Sequence, residues 1–166
     1  MKVSDLSSAK MAVGRGSALG ETAIAVVHMG EVFQKLPQRE AVAAKLKGEF
    51  EPSMRELQKQ EQEGQKLVEK FRKDEAFNSA EQTKQKQEKL VKLQMEFNQK
   101  RQAFEQDNGR RQSEERNKIL TKVQAAIDSI AKSNGYDLVL ERNAARYAAS
   151  KKDISGQVIF QVSKSN

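Results

Sequence analysis

The sequence contains no cysteine and only one histidine, and these two scarcities exclude several kinds of site. Without cysteine there is no disulfide framework, no thiol nucleophile and no cysteine-based zinc site. A lone histidine, His28, cannot supply the ligand set of a histidine-based metal site within one chain. We therefore expect no bound metal.

Arrangements of residues that would support catalysis are also missing. Glu114 and Glu115 are adjacent in the sequence, so on a helix they point in different directions and do not form an acid–base dyad. Gly14, Gly16 and Gly20 precede a strand-like run, and no Lys-Ser or Lys-Thr pair completes a phosphate-binding loop after them. We therefore expect neither an enzyme nor an ATP-driven machine, and we assign no catalytic residue and no cofactor.

Long apolar runs are absent and proline is scarce. No stretch approaches the roughly 20 consecutive apolar residues of a membrane-spanning helix. An apolar share of 37% beside a charged share of 32% is typical of long exposed helices rather than of a compact globule. Since 166 residues of this composition can bury only a small core, we expect the chain to associate with other copies.

The first 21 residues do not fit the pattern that follows them. Ala18-Leu19-Gly20 would suit a cleavage site, but Arg15 and polar residues interrupt the apolar run that a secretory signal needs. We interpret residues 1–21 as a disordered leader or an added segment outside the fold.

The folded part begins with a short β-branched run, Ala23 to Val27, which predicts a buried strand. A short helix should follow from Glu31 to Leu36, where Pro37 stops it. These elements are expected to form part of a small β-containing body.

A long helical hairpin should come next. Apolar residues recur at spacings of four and three from Val42 to Leu57, which predicts an amphipathic helix, and Pro52 should kink this helix without ending it. Near Asn78 the chain should reverse, with Ser79 and Gln82 forming a capping box. A second helix of roughly 80 Å, at 1.5 Å per residue, should run from Ala80 to Ser133. Antiparallel pairing would bring Phe50 near Phe104 and Leu57 near Phe97, and Asn134-Gly135 would cap the second helix.

The C-terminal part predicts two more strands and a helix. Tyr136 to Glu141 and Ala145 to Ala149 are interpreted as strands, and Asp153 should cap a helix that buries one face. That face carries Ile154, Val158 and Val162. The hairpin would return both ends of the chain to one small sheet, whose open edges invite pairing with other copies. The fold class is therefore α+β.

Glu105 to Lys118 is a run of fourteen residues without an aliphatic or aromatic side chain. No face of such a helix can be buried dry, so we expect a solvated surface with many ion pairs. A second interpretation is that part of the run lines a charged, water-filled cavity between several copies.

The net charge of +7 favours acidic partners, and it makes a basic coiled-coil scaffold or a nucleic-acid-associated protein the alternative function. The 30 Lys and Arg residues are, however, interspersed with 23 acidic residues and are not gathered into a basic region. We therefore expect no specific nucleic-acid partner.

The sequence resembles the Skp/OmpH family of periplasmic chaperones over about residues 22–163. The resemblance rests on Ile24-Ala25-Val26-Val27-His28-Met29-Gly30, on Gln102-Ala103-Phe104-Glu105-Gln106-Asp107, on Glu114-Glu115-Arg116, and on Lys152-Asp153-Ile154. It implies an ATP-independent periplasmic holdase that binds unfolded outer-membrane β-barrel proteins in a cavity. The secretion signal of that family is not evident here.

The resemblance also implies an architecture and a second ligand. The family forms a homotrimer with a β-barrel body, which we assign to residues 22–36 and 134–166, and with helical tentacles, which we assign to residues 37–133. We expect Ile24, Val26, Leu138 and Leu140 in the trimer body. Lipopolysaccharide or an anionic lipid surface is an implied partner, and the positions that match the family's proposed site are Lys100, Arg110, Arg111 and Lys122.

Overall fold

A computed structural model describes residues 20–165, so the expectation for residues 1–21 falls almost entirely outside the described residues. The described chain is mostly helical, with a two-stranded sheet. None of its helices has the length and apolar character needed to cross a membrane. In chain order the elements are β1 (Ile24–Val27), α1 (Met29–Lys35), α2 (Gln38–Asp74), α3 (Ala80–Asn134), β2 (Leu138–Glu141) and α4 (Ser155–Ser163).

The chain divides into two compact units. One, the terminal unit, contains residues 20–36 and 121–165; the other, the hairpin unit, contains residues 37–120. Among the described residues, nearly all of the buried apolar side chains belong to the terminal unit, and Phe50 and Ile119 are the two that belong to the hairpin unit. The hairpin unit therefore has very little buried apolar core of its own.

The sheet of the terminal unit is parallel. Ile24 lies beside Leu138 and Val26 beside Leu140. The free edge of β1 is covered, because the Ile154 amide donates a hydrogen bond to the Val26 carbonyl at 2.9 Å. Within residues 20–165, β2 has no strand on its other side, so this edge of the sheet is open.

The predicted strand at Ala145–Ala149 is wrong. A 3-10 turn occupies Arg142–Ala144, and another occupies Ser150–Lys152. Ala145 and Ala149 have extended dihedral angles, but the segment pairs with no strand in the described part of the chain. Three alanines give the segment little side-chain packing with which to hold a strand position.

The last helix buries the predicted face, but its N-cap residue is Ile154 and not the predicted Asp153. The Asp153 carboxylate accepts hydrogen bonds from the Ser155 amide at 2.9 Å and the Ser155 hydroxyl at 2.6 Å, which fixes the chain at the start of α4. Ile154, Val158 and Val162 are each at most 1% exposed. Their spacing of four residues places them on one helical face, so this face forms part of the core of the terminal unit.

The C-terminus of α3 also follows its prediction. Gly135 has φ of +68°, in the left-handed region that favours glycine. The Tyr136 amide donates to the Ala131 carbonyl at 2.9 Å, and the Gly135 amide donates to the Lys132 carbonyl at 3.4 Å. This pair of bonds is the Schellman arrangement, which satisfies carbonyl groups that the helix end would leave unpaired.

In the hairpin unit, both the turn and the pairing of the helices are as predicted. The Ser79 amide donates to the Gln82 side chain at 3.0 Å, and the Gln82 amide donates to the Ser79 hydroxyl at 3.2 Å, which completes the capping box. The rings of Phe50 and Phe104 meet edge to face with their centroids 5.5 Å apart. Pro52 lies inside α2 without ending it. The predicted kink at Pro52 stays a prediction.

Candidate functional surfaces

A cluster of ion pairs joins the two helices of the hairpin unit and has Glu115 at its centre. The Glu115 carboxylate lies 3.0 Å from the Lys45 amine of α2 and 2.9 Å from both Lys118 and Arg111 of α3. The Glu115 side chain is only 6% exposed. A carboxylate that is this deeply buried stays in its charged form because three cationic side chains donate hydrogen bonds to it.

Arg111 is the second member that reaches across the hairpin. Its guanidinium donates to Glu49 at 2.9 and 3.0 Å and to Glu114 at 2.7 Å, in addition to its bond with Glu115. These hydrogen bonds, with Glu49 the largest contributor, raise the pKa of Arg111. The same guanidinium, acting first through its hydrogen bonds, lowers the pKa of both Glu49 and Glu114. All the charges in this cluster are therefore matched within the unit.

The cluster corrects part of the expectation for the run from Glu105 to Lys118. The abundance of ion pairs is confirmed, but the run is not solvated on every side, because Glu115 is buried and Arg111 is only 17% exposed. The helix can turn this charged face toward α2 because each carboxylate of the cluster has a cationic partner.

We expect the cluster to make the stability of the hairpin depend on pH. Hydrogen bonds from Lys118, Lys45 and Arg111, in that order, lower the pKa of Glu115 from 4.5 to about 2. A folded-state pKa below the unfolded value stabilises the fold above pH 4.5, and this contribution disappears as the pH falls from 4.5 to about 2. Glu115→Gln should therefore have a lower free energy of unfolding than wild type at pH 7. The difference should disappear as the pH falls to about 2. Urea titrations followed by circular dichroism at several pH values would measure this.

The matched control is Glu51→Gln, which removes an exposed carboxylate that pairs with Arg55 within α2. Such a pair contributes little to stability, so this variant should follow the wild-type pH profile closely. A Glu115→Gln profile that is parallel to wild type over the whole acid range would contradict the assignment.

Three of the four positions predicted for lipopolysaccharide are paired with carboxylates of the hairpin unit. Lys100 pairs with Glu56 of α2 at 3.1 Å, and Arg110 pairs with Asp107 and Glu114 on its own helix. Arg111 belongs to the Glu115 cluster, and Lys122 belongs to the terminal unit. Lipopolysaccharide binding at these positions stays a prediction, and an anion at the first three would compete with existing carboxylate partners.

Large apolar side chains remain exposed on the hairpin unit. Phe77, in the turn between the helices, is 87% exposed; Val68 of α2 is 52% exposed, and Val91 and Met95 of α3 are 59% and 57% exposed. Val91 and Met95 also line an open groove of about 420 Å³ whose other lining residues are lysines, glutamates and glutamines. The unit therefore offers scattered apolar contacts on a charged surface. Their apolar character could be recognised in the sequence, but their exposure could not, because it depends on which faces of α2 and α3 pack together.

A second apolar surface is one face of the sheet in the terminal unit. Ile24, Leu138 and Leu140 share this face and are 39%, 49% and 41% exposed. Val26 lies on the same face but is only 3% exposed. Of the four residues expected in the trimer body, three are thus available to another molecule, whereas Val26 is already covered by its own chain.

The chain matches known proteins over most of its length. The profile of the family described as "Outer membrane protein (OmpH-like)" matches residues 23–162. The chaperone protein Skp of Photorhabdus luminescens is 46% identical over 140 residues, which are 84% of this chain and 84% of the relative. The chaperone protein Skp of Yersinia enterocolitica is 39% identical over 156 residues, which are 94% of this chain and 95% of the relative.

A solved structure shows the same fold. A crystal structure from Caulobacter crescentus, described as OmpH-like, superposes with a TM-score of 0.74. The superposition covers 87% of this chain and 85% of that chain, at 13% sequence identity. At this identity the likeness is one of fold alone.

Proposed function

This chain belongs to the OmpH-like family, and we infer from this membership that it is a chaperone for outer-membrane proteins. The relatives that carry the chaperone name span most of the chain, so the inference covers both units and not a fragment. Periplasmic location is part of the proposal, because the clients of such a chaperone must cross the periplasm to reach the outer membrane.

The observation that carries the mechanism is the exposed apolar surface of the hairpin unit. Val68, Phe77, Val91 and Met95 are each more than half exposed, and charged side chains of both signs separate them along the helices. Separated apolar contacts of this kind can each bind an apolar side chain of an unfolded polypeptide without requiring one fixed sequence or shape. Methionine is well suited to this role because its unbranched side chain adapts to different partners.

We propose that the working form is a homotrimer assembled through the sheet of the terminal unit. Two strands are too few for a stable isolated sheet, and both the outer edge of β2 and the face with Leu138 and Leu140 are open within residues 20–165. Additional copies would pair with the edge and cover the face. Three hairpin units in one assembly would then act together on one client, which multiplies weak contacts.

Client release in this proposal needs no nucleotide. Each apolar contact is weak, so a client exchanges among contacts, and folding into the membrane removes it from the equilibrium. The sequence has no phosphate-binding loop, in agreement with this interpretation.

The direct test is an aggregation assay. A urea-unfolded outer-membrane β-barrel protein is diluted into buffer with and without the chain, and light scattering is followed in the absence of ATP. We expect the chain to suppress scattering at a small molar excess. Equal scattering in both samples would refute the chaperone function, and tight DNA binding near physiological salt in the same preparation would favour the nucleic-acid-associated alternative.

A further inference from the structure

Met95 of α3 is the most exposed of the methionines that the structure describes. The chain has five methionines, and Met29, Met54 and Met95 lie within residues 20–165. Met29 is half-buried, Met54 is 48% exposed and Met95 is 57% exposed. Met95 therefore presents more of its side chain to dissolved molecules than the other two do.

The composition of the chain makes its methionines the side chains that a mild oxidant attacks. Hydrogen peroxide reacts in proteins chiefly with sulfur, and this sequence contains no cysteine that would compete for it. Oxidation of methionine converts a flexible, apolar thioether into a polar sulfoxide. Exposure of this chain to peroxide should therefore change the surface around its exposed methionines first.

Met95 lies beside Val91 in the open groove of about 420 Å³ on the hairpin unit. The two residues are four positions apart, so their side chains are neighbours on one face of α3. The other lining residues of the groove are lysines, glutamates and glutamines. Val91 and Met95 therefore supply the apolar surface of the groove, and a sulfoxide at Met95 would leave Val91 as its one apolar residue.

Met54 has different neighbours on α2. The residues four positions before and after it are Phe50, which is buried against Phe104, and the polar residue Gln58. Leu57, three positions after it, is half-buried. Met54 thus resembles Met95 in exposure but does not share a groove surface with an exposed apolar side chain at helical spacing. This difference makes Met54 the matched control for Met95.

We propose that Met95 is a site of reversible oxidation and that its sulfoxide weakens client binding by the hairpin unit. The inference rests on the proposed chaperone function, because it concerns an apolar contact that holds the client. In the reaction, the sulfur lone pair attacks one oxygen of hydrogen peroxide, so that an S–O bond forms while the O–O bond breaks. The proton of the attacked oxygen passes to the departing hydroxide, which leaves as water. Sulfur is oxidised by two electrons, and peroxide is reduced.

The sulfoxide makes the contact with a client less favourable. Its oxygen accepts hydrogen bonds from water, and a client side chain that covers it would remove this hydration without supplying a donor. Methionine sulfoxide reductases reverse the change, since a dithiol is oxidised to a disulfide while the sulfoxide oxygen leaves as water. Client affinity should therefore fall after peroxide treatment and return after reduction.

The test measures the client affinity of the full chain before and after treatment with hydrogen peroxide. The peroxide is removed, the sulfoxide at each methionine is quantified by mass spectrometry of peptides, and only then is a labelled, unfolded β-barrel protein added. Fluorescence anisotropy should show about fivefold weaker binding by oxidised wild type, as expected for the loss of one half-exposed apolar contact. Incubation with both methionine sulfoxide reductases and dithiothreitol should restore the original affinity.

Three variants separate Met95 from the other methionines. Met95→Leu keeps the apolar contact without the thioether, so its affinity should not change with peroxide. Met54→Leu should lose affinity as wild type does. Met95→Gln carries a polar side chain at all times, so it should bind before treatment about as weakly as oxidised wild type. Met1 and Met11 are present in all three variants, so an effect that comes from them would persist in Met95→Leu.

Several results would overturn the proposal. These are unchanged affinity of wild type whose Met95 is fully oxidised, a loss in treated Met95→Leu equal to that of wild type, and resistance of Met95 to peroxide that oxidises free methionine. Lower helicity of the oxidised chain by circular dichroism would also overturn it, because the loss would then come from unfolding. Untreated wild type tests the chaperone function separately: a chain that holds no client refutes that function, whereas a client held equally before and after oxidation refutes only the role of Met95.

Discussion

Replacing Leu138 and Leu140 by aspartate should convert the proposed trimer into monomers of 18.7 kDa, whereas wild type should have about three times this mass. The two side chains lie on the open face of the sheet and are 49% and 41% exposed, so the substitutions do not place a charge in the core of a single chain. In an assembly that covers this face, each carboxylate would lose its hydration without gaining a partner. Size-exclusion chromatography with multi-angle light scattering measures the result.

The same double variant should also lose most of its ability to hold clients. If several hairpin units act on one client, separation into monomers removes the gain from multiple attachment, which is typically 10²- to 10⁴-fold. Helicity that is unchanged from wild type, measured by circular dichroism, would show that each chain of the variant is still folded. A wild-type chain that is already monomeric, or a variant that keeps the wild-type mass, would contradict assembly through this face.

The second large effect is expected from the exposed apolar residues of the hairpin unit. The quadruple variant Val68→Gln, Phe77→Gln, Val91→Gln, Met95→Gln should keep its helices and its mass but hold clients about 30-fold more weakly. Each half-exposed side chain that a client covers contributes about 1 kcal/mol, and engagement of about two at a time gives that factor. Fluorescence anisotropy of a labelled, unfolded β-barrel protein measures the affinity.

The control for this variant changes the same helices at polar positions. Gln58→Ala, Gln62→Ala, Gln85→Ala and Gln94→Ala are exposed substitutions that preserve helix propensity. This control should hold clients as well as wild type does. If both variants lose affinity equally, or neither does, client binding does not depend on the exposed apolar side chains. Together with the sheet variant, the experiment separates assembly from client contact.

Several features of the hairpin unit could be predicted from local sequence because local interactions produce them. Ser79 and Gln82 satisfy each other's backbone amides within a single helical turn, so their spacing alone indicated where α3 begins. The pairing of Phe50 with Phe104 followed from the turn position and from the apolar periodicity of two helices that must run antiparallel. The family resemblance is confirmed by relatives at 39–46% identity over most of the chain.

The strand at Ala145–Ala149 was wrongly predicted because its formation depends on a partner that is remote in the sequence. Strand formation requires a partner, and the partner position beside β1 is taken by the backbone of Asp153 and Ile154. Which segment occupies that position depends on packing between parts of the chain more than 100 residues apart. No pattern within the segment itself carries this information.

The sequence alone determined the helical hairpin, its turn, its end at Gly135 and the family, because helix periodicity, caps and the residues that carry the resemblance are read directly along the chain. Only the tertiary structure decided which charged side chains form ion pairs across the hairpin. In the sequence, Glu115 and Arg111 look like two more members of a solvated charged run, but in the structure they form ion pairs with Lys45 and Glu49 of α2. The physical reason is that an ion pair depends on distance between side chains, and distances between remote residues exist only once the chain has folded.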